Sequence, residues 1–181
     1  MNVAVFGGSF NPPHVAHVLV PLLVQSTHDV DRALVVPTFQ HPFAKALAPY
    51  DDRVRMCELA IGWMPRVAIS RVEEELGGES KTLRTLEHLR AQHPDWAMRL
   101  LMGSDIVAEA PKWYRFDAVA AIAPPLVLAR AGHAKSGETA LLPAISSTDV
   151  RARIAAGEWD ALAHLVPRAV LDHVKARGLY A

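Results

Sequence analysis

Val3-Ala4-Val5-Phe6-Gly7-Gly8-Ser9-Phe10-Asn11-Pro12-Pro13-His14-Val15-Ala16-His17 decides the reading of this chain, because it joins a buried strand to a helix through a turn suited to an anion. Val3 to Phe6 is a β-branched and aromatic run with no polar residue, the pattern of a short strand buried in a sheet. Gly7 and Gly8 follow, and glycine's tolerance of positive φ predicts a tight turn there, in which a main-chain amide comes close to a ligand. Pro12 and Pro13 stiffen the entry into a helix that begins near His14. His14 and His17 then share one face of its first turn, where unpaired N–H groups and the positive end of the dipole favour a negative group. The turn matches neither G-x-G-x-x-G nor G-x-x-x-x-G-K-[ST], so a different phosphate-binding turn is needed. Zinc is the weaker reading, since H-x-x-H lacks the H-E-x-x-H spacing and the chain has one cysteine. Taken alone, the pair is as well read as two surface histidines on an ordinary α/β turn.

Outward from this turn, strands and helices alternate. The patterns predict strands near 2–6, 33–36, 66–70, 97–102 and 126–130. Helices are predicted near 14–26, 51–62, 81–92, within 104–122, and near 147–156 and 167–176. That order argues for one α/β domain, residues 1–181, with a parallel sheet covered by helices on both faces. Pro21 conflicts locally with the first helix and predicts a kink. Ligands of such sheets sit beyond the strand C-terminal ends, so the turns after Phe6, Val36 and Met102 should open on one edge. Residues 131–138, small and polar between apolar runs, read as a mobile loop.

Lys+Arg and Asp+Glu number 19 each, so the formal net charge is zero. Nothing global therefore points to nucleic acid or an anionic membrane as a partner. A polyanionic ligand would need a local cluster, and Lys45, Arg151, His14 and His17 are the candidates. Cys57 stands alone, which excludes an internal disulfide and fits a reducing cytoplasm. The first residues are a strand without a basic leader, and no apolar run reaches the ~18 residues of a membrane span. The expectation is a soluble cytoplasmic protein.

Gly7 to His17 resembles the G-G-[ST]-F-[DN]-P-x-H-x-G-H signature of the H-x-G-H nucleotidyltransferase superfamily. Within it the chain is most similar to the bacterial nicotinate-nucleotide adenylyltransferases. Further matches follow in the family's order: Gly78-Glu79-Ser80-Lys81-Thr82 with Thr85-Leu86, Met102-Gly103-Ser104-Asp105, Pro111-Lys112-Trp113-Tyr114, Ile145-Ser146-Ser147-Thr148-Asp149-Val150-Arg151 and Gly178-Leu179-Tyr180. The resemblance implies a single Rossmann-like nucleotidyltransferase domain. It also implies transfer of AMP from ATP to nicotinate mononucleotide, giving deamido-NAD and pyrophosphate, with ATP and nicotinate mononucleotide as partners. His14, His17 and Arg151 would be catalytic, His17 stabilising charge at the α-phosphate and Arg151 neutralising the leaving pyrophosphate. A bound triphosphate would raise both histidine pKa values and favour their charged forms. Gly7, Gly8, Ser9, Phe10, Lys45, Ser146, Ser147 and Thr148 would hold ATP. Thr82, Gly103, Asp105, Trp113 and Tyr114 would hold the nicotinate nucleotide, Asp105 at a ribose and Trp113 stacked on the pyridine. Main-chain N–H groups near Thr82 and Tyr114 would favour a carboxylate over a carboxamide. Magnesium (Mg2+) is expected with ATP, carried by the phosphates and water because the sequence shows no carboxylate cage.

The same resemblance marks three departures: Ala16 stands where the signature has glycine, Lys81 where an aromatic is usual, and Lys45 follows His41-Pro42-Phe43-Ala44 where the family has P-P-H-K. Ser146 and its neighbours also suit an ordinary N-cap, and cap and phosphate site can coexist. Nearby alternatives are preference for nicotinamide mononucleotide, or acceptance of both. A phosphopantetheine adenylyltransferase or cytidylyltransferase would share the first and last motifs but would not be expected to keep Ser80-Lys81-Thr82 with Pro111-Lys112-Trp113-Tyr114. A non-catalytic nucleotide-binding regulator is the alternative from another class, against which both histidines and Arg151 argue.

Overall fold

β1 (Asn2–Gly8), β2 (Arg32–Pro37), β3 (Val67–Ile69), β4 (Ala97–Gly103) and β5 (Pro125–Leu128) pair in parallel in the order β3-β2-β1-β4-β5. This is seen in a computed structural model that describes residues 1–41, 47–107, 110, 113–133 and 139–181. Lys45, the pair Pro111-Lys112 and residues 134–138 of the expected loop lie outside the described residues. Every strand expected from the sequence is present.

The helices are α1 (Val15–Thr27), α2 (Tyr50–Ala60), α3 (Val72–Leu76), α4 (Thr82–Gln92), α5 (Ser104–Val107), α6 (Phe116–Ile122), α7 (Ser147–Ala155), α8 (Trp159–Leu162) and α9 (Arg168–Arg177). α3 and α8 escaped the sequence reading because five and four residues are too few to show a helical period. α1 runs through Pro21 without interruption, its ring buried beside Val20 and Val24.

Alternation along the strands splits the core in two. Ala4 and Phe6 of β1 and Val35 of β2 pack with side chains of α1, α2, α7 and α9 on one face. Val3, Val5, Leu34 and Val36 pack with those of α4 and α6 on the other. Chain order reverses between β1 and β4, which opens a crevice beyond their carboxyl ends.

The glycine turn corrects the sequence reading. Gly7 and Gly8 are still strand, paired with Val36 and Pro37, and the left-handed residue is Phe10 at φ 46°. The ladder to β2 continues through both glycines and so defers the turn. What they supply is space: a Cβ on Gly7 would meet nothing within 4 Å, and one on Gly8 would come within 3.2 Å of the Phe10 ring.

α9 is clamped to α2 through Asp52, whose Oδ1 is 2.9 Å from His173 Nε2 and accepts from Arg177 Nε at 3.1 Å. Burial pushes this carboxyl up, but the hydrogen bonds from Arg177 and His173 outweigh it and hold it below the usual carboxylate range. Ionised Asp52 therefore stabilises the fold above the unfolded-state value of about 3.9, and that contribution is lost as pH falls through the folded value. Arg177 is more than half exposed, so screening limits the effect to roughly 1 kcal/mol. Asp52→Asn should lose about that much in urea unfolding at pH 7, with the gap to wild type narrowing steadily as the pH is lowered below about 3.9. A gap independent of pH would contradict this account. Among the described residues, no helix is long and apolar enough to cross a membrane.

Candidate functional site

A cleft of about 900 Å³ occupies the crevice. Gly7, Gly8, Ser9, Phe10, His14, His17, Thr82, Gly103, Asp105, Trp113, Tyr114, Ser146, Ser147, Thr148 and Arg151 all line it, so the structure brings together every expected site residue that it describes. A smaller hollow of about 260 Å³ at the opposite end of the strands, beside Asn2, Asp29 and Arg99, holds none of them.

The floor is the start of α1. His14 is the N-cap, 2% exposed, and its ring lies 3.8 Å from that of His17. His14 donates its main-chain N–H to His17 Nδ1 at 3.1 Å. A nitrogen that accepts carries no proton, so the neutral His17 ring keeps its hydrogen on Nε2, as a donor. Phe6 and Phe10 wall this ring at 6.0 and 5.1 Å between centroids. Burial, then His14, then Arg130 hold the His17 pKa well below its ordinary value, and burial followed by Arg130 lowers that of His14 to about 4. At neutral pH this favours the uncharged form of both rings in the free protein. Ala16 is fully buried and does not line the cleft.

α7 closes the phosphate side. Ser146 caps it, accepting from Asp149 N–H at 3.1 Å and donating to Asp149 Oδ2 at 2.6 Å. Ser147 Oγ donates to the carbonyl of Pro12 at 2.9 Å. Arg151 donates from Nη1 to the carbonyl of Asn11 at 2.7 Å and from Nη2 to Thr148 Oγ1 at 3.3 Å. With both serine hydrogens committed to protein acceptors, α7 offers its first-turn main-chain N–H groups and the remaining donors of Arg151.

Two residues absent from the sequence reading complete this part. Arg130, just past β5, pairs with Asp105 Oδ2 at 2.7 Å. Its place at a strand C-terminal end was the signal that could have found it. Asp105 Oδ1, Arg130 Nε and His14 Nδ1 are buried without a hydrogen-bond partner among the described residues. Three such atoms around one cleft each cost roughly 1–3 kcal/mol unless a ligand answers them. Gly103 leaves room for this carboxylate, since a Cβ there would lie 2.3 Å from Asp105 Oδ1 and push it aside. Arg53, 1% exposed, is the second: it donates to the carbonyls of Ser9 and Ala48 at 3.0 Å and of Phe39 at 3.4 Å, locking the turn from behind.

The far wall rests on Glu73, also unforeseen. Its Oε2 accepts from Phe39 N–H at 3.0 Å and from Ser80 Oγ at 2.5 Å, and its Oε1 from Thr85 Oγ1 at 3.2 Å. This fixes the segment that leads into Thr82 and α4. Lys81 Nζ lies 3.1 Å from Glu79 and 5.4 Å from the centroid of the Tyr114 ring, so its charge is shared between a carboxylate and an aromatic face. Trp113 is half-buried with its edge against Phe116, and Tyr114 is 62% exposed at the mouth.

Residues 5–153 match the cytidylyltransferase-like family model. A probable nicotinate-nucleotide adenylyltransferase of Anaeromyxobacter sp. (strain K) is 48% identical, covering 99% of this chain and 96% of that protein. One of Myxococcus xanthus (strain DK1622) is 38% identical over 99% of this chain and 95% of that protein. Among solved structures, Plasmodium falciparum nicotinic acid mononucleotide adenylyltransferase complexed with NaAD shares the fold with a TM-score of 0.86, at 18% identity over 99% of this chain and 97% of that chain.

Proposed function

Because the chain belongs to the cytidylyltransferase-like family, and within it to the nicotinate-nucleotide adenylyltransferases, we propose that it transfers the AMP part of ATP to the phosphate of nicotinate mononucleotide, giving deamido-NAD and pyrophosphate. The observation that carries this reading is the cleft itself: two adjacent imidazoles, two guanidinium groups and two helix N-termini converge on it, with unanswered polar atoms between them.

The nucleophile needs no base from the protein. A phosphate monoester has a second pKa of about 6 and is largely a dianion at neutral pH. What remains is alignment and charge stabilisation during in-line attack on the α-phosphorus. His17 presents Nε2–H to the α-phosphate, and His14 lies beside it. A triphosphate in this cleft raises both pKa values and strengthens their donation. Arg151, with donors to spare, neutralises the pyrophosphate as it leaves, together with the N–H groups of Ser147 and Thr148. Gly7, Gly8, Ser9 and Phe10 line the nucleotide's path, and Lys45 is assigned to the polyphosphate only from its place in the chain after the second strand. Asp105 and Gly103 receive a ribose hydroxyl, and Trp113 stacks on the pyridine. The N–H groups of Thr82 and Tyr114 meet its carboxylate, where a carboxamide would oppose donor with donor.

Magnesium prefers oxygen donors. Among the described residues no three of His, Cys, Asp or Glu converge on a point, and Asp105 is taken by Arg130. The donor set does not suit a dedicated magnesium site, and the ion is assigned to the ATP phosphates and water. The chemistry belongs in the cytoplasm, where a lone buried thiol such as Cys57 stays reduced.

The test is pyrophosphate release from magnesium ATP with nicotinate or nicotinamide mononucleotide, compared as kcat/KM. A preference for the nicotinate form of at least tenfold is expected. Equal values would remove the base assignment, and absence of turnover with either would remove the reaction.

A further inference from the structure

We propose that Tyr180, next to the end of the chain, is a positioning residue for the phosphate side of the cleft, acting through Asn11 on Arg151. Its hydroxyl donates to Asn11 Oδ1 at 2.8 Å, and the same oxygen accepts from Ala48 N–H at 3.0 Å. Asn11 is 2% exposed and its main-chain carbonyl receives Arg151 Nη1 at 2.7 Å. One buried residue thus ties the segment before α2 and the C-terminus through its side chain, and α7 through its main-chain carbonyl, to the turn after β1.

Two further observations indicate that this contact is held rather than incidental. Tyr180 has φ 66°, a left-handed conformation rare for a residue with a side chain and sustained only when the surroundings fix it. α9 is anchored to α2 by the Asp52 clamp, and Gly178, also left-handed at φ 58°, turns the chain back toward the cleft. Burial pushes the Tyr180 phenol above its ordinary pKa, so the hydroxyl remains the donor. Tyr180 does not line the cleft, so it works only through what it holds.

The inference rests on the reading of Arg151 as a phosphate ligand, and predicts a selective effect. Tyr180→Phe removes only the donor, leaving the ring packed. Affinity for magnesium ATP, measured by titration calorimetry, should weaken about fivefold to tenfold, the size of one buried hydrogen bond. The KM for nicotinate mononucleotide should stay within about twofold, and the Tm should fall by no more than about 4 °C, the cost of one hydrogen bond to the fold. In an Asn11→Ala background Tyr180→Phe should add nothing, since the acceptor is already gone. Unchanged ATP affinity, or an equal loss for both substrates with a larger fall in Tm, would overturn the proposal. Because nucleotide affinity is read without turnover, a wild-type protein that binds ATP but does not use nicotinate mononucleotide would sink the proposed reaction and leave this inference standing.

Discussion

His17→Ala lowers kcat by about 10²- to 10³-fold, the usual consequence of removing one donor aimed at developing charge, while the protein stays folded. The protonation of its ring is dictated by a neighbour: the His14 N–H occupies Nδ1 and leaves Nε2–H as the donor. Alanine removes that hydrogen from a walled site between Phe6 and Phe10. The loss should fall on kcat more than on the KM of nicotinate mononucleotide, because the acceptor's contacts lie on the far wall. Pyrophosphate release at saturating substrates, with circular dichroism to establish folding, measures it. A folded variant with wild-type kcat would take His17 out of the reaction.

Arg53→Leu should have the largest effect on stability, roughly 3–5 kcal/mol, since each buried carbonyl left without a donor costs about 1–3 kcal/mol. Three carbonyls, of Ser9, Ala48 and Phe39, lose their donor together. At this chain length that corresponds to a fall in Tm on the order of 10 °C. Arg53→Lys should not restore it, since one ammonium cannot span the fork that three separated carbonyls require. A thermal melt of Arg53→Leu within 2 °C of wild type would show that the turn is held by other means.

Much of this molecule was legible from its residues. β1 and the motif after it announced the sheet, and the order of strands and helices announced the crevice. The cleft-lining residues were legible because each sits in a short contiguous motif. Arg53, Glu73 and Arg130 were not, and for one reason: each acts on groups far along the chain. Arg53 reaches back to Ser9, Glu73 across to Phe39 and Thr85, and Arg130 back to Asp105. On a helix such as α2 or α3 a charged side chain defaults to solvent, and only tertiary packing reveals that Arg53 is inside. Gly7 and Gly8 failed differently: the composition correctly marked a place without side chains, but the reason was room for Phe10 and the cleft, not backbone curvature.

The division of the core by the sheet also divides the site. His14, His17, Arg151 and Tyr180 issue from the layer that packs on Phe6 and Val35, whereas Glu73, Thr82, Thr85 and Trp113 issue from the layer that packs on Val5 and Val36. The group that donates and the group that receives are thus served by separate masonry that meets along the strand ends. One layer can be rebuilt for a new acceptor while the other keeps its grip on the nucleotide, which makes the architecture modular in the evolutionary sense.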